Sequence, residues 1–60
     1  MDKFKMNEVV GFQENFYTVI GIGRRKDTKG KYLLNDFTFN CYHLFWAKEE
    51  DLVKIFQNED

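Results

Sequence analysis

Sixty residues, 43% of them hydrophobic and 18% aromatic, describe one folded domain near the lower size limit, since a chain this short buries only about 60% of its unfolded surface. The composition excludes a disordered polar segment, the single cysteine, Cys41, excludes an internal disulfide and fits a reducing compartment, and a formal net charge of −1 with a pI near 5.7 argues against a basic domain that coats nucleic acid. No apolar run approaches the roughly 20 residues needed to span a bilayer and the N-terminus MDKFKMNEVV lacks the apolar stretch of a signal peptide, so the expected location is the cytoplasm, with no membrane contact.

In chain order, Asn7-Glu8 is a polar pair suited to a tight bend before a first strand at about 8–12, with Gly11 marking a bulge or a close backbone approach. Gln13-Glu14-Asn15 reads as a short polar loop. Phe16 to Gly23 (FYTVIGIG) is the next strand; strict alternation places Tyr17 and Val19 on one face and Phe16, Thr18, Ile20 and Ile22 on the other, with Gly21 and Gly23 free to kink it. Residues 24–31, RRKDTKGK, hold five positive charges and one negative and form a solvated hairpin loop in which Gly30 supplies a left-handed conformation. A third strand covers Lys31 to Leu34, with Tyr32 and Leu34 inward, and Asn35-Asp36 signals a turn. A turn or wide hairpin near 36–40 then leads to a fourth strand at 41–47. Glu49-Glu50-Asp51 interrupts the apolar pattern. Leu52, Ile55 and Phe56 have helical spacing behind an acidic first turn, but a single 3₁₀ turn followed by a short strand at 53–55 is the preferred reading. Residues 1–60 make one domain, with 57–60 as a polar tail.

The order of these segments carries a resemblance. Phe4-x-Met6-Asn7-Glu8-x-Val10, Tyr17-x-Val19-x-x-Ile22, Tyr32-x-Leu34 and Phe45-Trp46-x-x-Glu49-x-x-Leu52 resemble the small SH3-like barrels of phages and mobile elements. In those, a bend precedes the first strand and a Trp-x-x-Glu-x-x-Leu segment joins strand four to a 3₁₀ turn and strand five. The resemblance implies an all-β, five-stranded SH3-like barrel in which Trp46 and Leu52 are core anchors across the turn. Asn7-Glu8 stands where a Gly-Asp pair is common, and the acidic, aromatic and proline-contacting residues of peptide-binding SH3 domains are not recognisable in order. Polyproline recognition is therefore not carried over, and the fold alone leaves function open.

Catalysis finds little support. Gly21-x-Gly23 lacks the third glycine of a dinucleotide fingerprint. Cys41 and His43 would share a strand face, but a metal site needs three or four ligands and the chain has no other Cys or His. No nucleophile, base and oxyanion donor can be assembled, so neither cofactor nor metal is expected. Two surfaces remain. The first is aromatic and acidic: seven Phe, three Tyr and one Trp exceed what so small a barrel encloses, so part of Phe16, Phe37, Phe39, Tyr42 and Phe56 belongs at the surface, where a contiguous patch marks an interface. Phe37, Phe39, Tyr42 and Trp46, with Glu49, Glu50 and Asp51 at the acidic corner, are the candidate partner-binding residues; burial under Phe4 and Met6, a homodimer contact and, for the acids, a solvated turn are the ordinary alternatives. The second is the basic loop, where Arg24, Arg25, Lys26, Lys29 and Lys31, flanked by Tyr17 and Tyr32, could hold phosphates and stack bases, or simply keep a hairpin tip soluble and unpaired. The expectation is a non-enzymatic protein-interaction module, such as a phage or mobile-element protein that binds and modulates a host protein, with nucleic-acid binding through 24–31 as the alternative.

Overall fold

Among the described residues the chain forms five strands, β1 (Val9–Phe12), β2 (Asn15–Ile22), β3 (Lys31–Asp36), β4 (His43–Lys48) and β5 (Val53–Lys54), with a 3₁₀ turn over Glu49–Asp51; in β3 and β4 inward and outward side chains alternate. The computed structural model describes residues 3–36 and 43–55. All ladders are antiparallel, in the order β4-β3-β2-β1-β5. The chain meanders from β1 to β4, and β5 then returns to the far side of β1. The architecture is an all-β antiparallel sheet, and among the described residues no ladder joins β4 to β5 to close it.

The bend before β1 is built as its sequence suggests. Glu8 N–H donates to the Lys5 carbonyl at 3.1 Å, Lys5 N–H donates to the Glu8 carboxylate at 2.9 Å, and Asn7 sits at φ 70°. A four-residue turn with positive φ at its third position favours Gly or Asn there. Between β1 and β2 the loop is shorter than expected. Phe12 pairs with Asn15, so only Gln13 and Glu14 turn the chain, at φ 52° and 69°. Two successive left-handed residues are the geometry of a type I′ hairpin, which prefers Asn-Gly. Gly11 lies in an unbroken ladder opposite Phe16, without a bulge.

The bulge falls one strand later. Val19 pairs with Leu34 and Gly21 with Leu33, leaving Ile20 without a partner. Strict alternation fails at that point. Ile22 crosses to the other face and pairs with Tyr32, where it packs against the core. In the loop that follows, Gly30 has φ 82°. At Gly23 the backbone donates to the Lys31 carbonyl at 2.9 Å, and a Cβ would overlap the Thr28 carbonyl oxygen. β3 runs two residues further than its turn signal suggests: Asn35 and Asp36 pair with Leu44 and His43, because a ladder partner satisfies their backbone groups as well as a turn would. The rest of the expected turn, residues 37–40, lies outside the described residues.

Every described strand except β5, together with the N-terminal arm and the 3₁₀ corner, feeds one core of Phe4, Val10, Val19, Tyr32, Leu34, Ala47 and Leu52, with Phe12, Tyr17, Ile22 and Phe45 packed against it. Phe4 meets Tyr32 edge to face at 5.4 Å, and the ammonium groups of Lys3 and Lys54 lie 5.6 and 5.7 Å from its ring centre. Leu52 is buried as expected. Trp46 is not a core anchor. It stands 44% exposed, and Ala47 takes the inward position.

Candidate interaction surface

Cross-strand pairing assigns the two faces. Val10 opposite Tyr17, Val19 opposite Leu34 and Tyr32 opposite Ala47 define the inner face. The outer face carries Phe16, Leu33, Leu44 and Trp46, with Leu33 opposite Trp46 and Asn35 opposite Leu44. Leu44 and Trp46 are 49% and 44% exposed and lie two residues apart on β4, so they form one apolar row along an outer strand of the sheet. Beside them the Asn35 Oδ1 is buried without a hydrogen-bond partner among the described residues.

The basic loop folds beside Trp46, at one end of this row. Thr28 N–H donates to the Arg25 carbonyl at 3.1 Å, Arg25 N–H donates to the Thr28 hydroxyl at 3.2 Å, and Lys31 N–H donates to the Thr28 carbonyl at 2.9 Å. This arrangement sets Arg24, Arg25, Asp27 and Thr28 around a recess of about 460 Å³ whose remaining walls are Ile22 and Trp46. Lys31 and Lys48 are cross-strand partners on the same face. The exposed indole therefore shares a recess with two guanidinium side chains and one carboxylate.

On the other side of the loop, a recess of about 430 Å³ is lined by Ile22, Gly23, Arg24, Lys29, Gly30, Lys31, Tyr32 and Glu49. Its floor is a closed network. The Tyr32 hydroxyl donates to Glu49 Oε2 at 2.9 Å and accepts from the Lys3 and Phe4 amides at 2.9 and 3.3 Å; Lys3 N–H also reaches Glu49 Oε2 at 3.1 Å. Burial pushes the Tyr32 hydroxyl above its ordinary pKa of 10.0. The Phe4 and Lys3 amides oppose that rise and the Glu49 carboxylate adds to it. Glu49 is anchored further by its own N–H, which donates to the Gly30 carbonyl at 2.9 Å.

These positions revise the sequence-based assignments. Tyr32 is 2% exposed and its ring is enclosed, so it cannot stack a base beside the loop. Tyr17 is half-buried in an aromatic group with Phe12 and Phe45, at ring distances of 6.0 and 5.0 Å. Of the acidic corner, Glu50 and Asp51 are exposed, whereas Glu49 is half-buried and structural rather than a solvated turn acid. Arg24, Arg25, Lys26 and Lys29 are exposed and Lys31 is half-buried. Phe16 is exposed, Phe4 is fully buried and Met6 is not. Phe37, Phe39, Cys41, Tyr42, Phe56 and the tail 57–60 lie outside the described residues. Among the described residues no three His, Cys, Asp or Glu side chains are grouped to hold a metal ion, and no helix is long and apolar enough to cross a membrane. The proximity of Arg24 and Arg25 to Trp46 was not legible in the sequence, because it depends on how the loop folds back; the period-two spacing of Leu44 and Trp46 was its only trace. No protein-family model, curated protein or solved structure matches the chain.

Proposed function

We propose that this chain is a non-enzymatic protein-interaction module, that its sheet is the wall of a small SH3-like barrel, and that its docking surface is the outer face of β3 and β4. The barrel reading is supported by the meander with β5 returning to β1, by the 3₁₀ turn immediately before β5, and by a core that draws on both β1 and β4. The interaction reading rests on one observation: Leu44 and Trp46 stand about half exposed in a row on an outer strand, where an uncovered apolar edge is a liability that proteins otherwise blunt. The aromatic surplus and the segregated charge of the sequence support a host protein, bound and modulated in the cytoplasm, as the partner of a phage or mobile-element product. Affinity capture from host lysate with the parent chain and with Leu44→Ser/Trp46→Ser tests it. A partner held by the parent and lost by the variant supports the docking face. Identical captures refute it.

Nucleic-acid binding is the second reading, favoured by the recess that joins Trp46 to Arg24 and Arg25. It requires affinity for single strands that falls steeply with salt. Unchanged mobility of DNA and RNA at low salt removes it.

A further inference from the structure

Resting on that docking face, we infer that the partner is an acidic, extended peptide segment that adds a strand to the outer edge of β4. Three independent features select this chemistry.

The first is the backbone. In an antiparallel ladder, successive residues turn their N–H and C=O alternately toward one neighbour and the other. Glu49 N–H donates to the Gly30 carbonyl and Gly23 N–H to the Lys31 carbonyl, so Gly30 faces β4 and Lys31 faces β2. Carried along the β3–β4 register, this parity directs Ala47, Phe45 and His43 to β3. Leu44, Trp46 and Lys48 point the other way. Among the described residues no strand occupies that side. Among the described residues the edge therefore offers three residues' worth of donors and acceptors at intervals of about 7 Å, the template used in strand addition.

The second is the side-chain row. The residues with open backbone groups are also those whose side chains lie on the outer face. A strand laid against them would set its own alternate side chains beside Leu44 and Trp46.

The third is charge. Lys31 and Lys48 are placed directly across from each other, an unfavourable pairing of like charges, and Arg25 borders the Trp46 recess nearby. Carboxylates on the added strand at this end would relieve that repulsion. A single-stranded nucleic acid fits less well. Stacking of successive bases needs a row of rings, and the neighbour of Trp46 in the row is the aliphatic Leu44.

The test uses the full chain, isotope-labelled, and heptapeptides that alternate valine and threonine and end in two glutamates or, as the matched control, two lysines. Trp46 is the only tryptophan, so its fluorescence reports the site directly. The acidic peptide is expected to bind saturably and to slow amide exchange at Leu44, Trp46 and Lys48 at least tenfold. The lysine peptide, and the Arg25→Glu/Lys48→Glu variant with the acidic peptide, should each bind at least tenfold more weakly. No saturable binding, equal affinity for the two peptides, or binding that leaves those three amides unprotected overturns the inference. So does protection of the same amides that rises with protein concentration alone, which assigns the edge to a second copy, or binding of a single-stranded oligonucleotide in place of the peptide. If the peptide fails while lysate capture still depends on Leu44 and Trp46, the docking face stands and the peptide chemistry falls; if capture is also unchanged by the substitutions, the docking face falls with it.

Discussion

Tyr32 and Trp46 are large aromatic residues on neighbouring strands, a single register step apart, yet they serve opposite faces of one sheet. Tyr32 pairs with Ala47, and the small partner leaves room on the inner face for the tyrosine ring and for Phe4 packed edge to face against it. Its hydroxyl then finds Glu49 and two backbone amides, so the buried hydroxyl is not left unpaired. Trp46 pairs with Leu33 on the other side, with solvent and the basic loop for neighbours. Hydrophobicity alone assigns both residues inward. Volume and hydrogen-bonding decide between them.

That contrast can be broken from either side, and the largest effect should come from its inner half. Phe4→Ala removes a fully buried ring and is expected to cost about 3–5 kcal/mol of unfolding free energy in a denaturant titration; a loss near zero would mean that the arm contributes little to the core. Tyr32→Phe leaves the ring in place and the Lys3 N–H on Glu49 but strands the buried Phe4 amide, at a cost of roughly 1–3 kcal/mol. It carries a pH signature as well. The folded-state pKa of Tyr32 is raised above 10.0, so the folded chain holds this proton more tightly than the unfolded chain. The stabilisation is complete below pH 10 and is lost as pH rises from there through the folded pKa. The difference between parent and Tyr32→Phe unfolding curves should shrink above pH 10, and a constant difference would contradict the burial argument. Replacing Gln13-Glu14 by Asn-Gly, the pair suited to two left-handed residues, should add about 1 kcal/mol without touching either face, and peptide affinity should not change. Trp46→Ala should shift stability by no more than about 0.5 kcal/mol while abolishing capture of the partner. A loss of several kcal/mol would return Trp46 to the core and dissolve the comparison.

Much of the sheet was legible because period-two alternation fixes strand faces: Tyr17 and Val19 share one face, and Tyr32 and Leu34 lie inward, as their spacing indicates. The bend at Asn7 and the 3₁₀ turn at Glu49–Asp51 follow from local chemistry in the same way. What could not be read were features created by pairing across the sheet. The bulge at Ile20 moves Ile22 to the opposite face, and it exists only because Val19 and Gly21 find successive partners in β3. Asn35 and Asp36 look like a turn until β4 lies beside them. Between 43 and 47 either alternation is apolar, and the choice is made by Tyr32 and Phe4 filling the space opposite Ala47. The interaction surface shares this dependence, since Arg24, Arg25 and Trp46 meet only after the loop has folded.

The shortest strand has a consequence in time rather than in space. The β1–β2, β2–β3 and β3–β4 ladders join neighbours in sequence, whereas Val53 and Lys54 of β5 must find Gly11 and Val10 at the other end of the chain. Closing so long a loop for a two-residue ladder places that contact late in folding. The same ladder should open early and often. Hydrogen exchange at Val53 and Lys54 is therefore expected to run well ahead of exchange in β2 and β3, so that the sheet loosens from its β5 side while β3 and β4, which carry the proposed docking edge, stay formed.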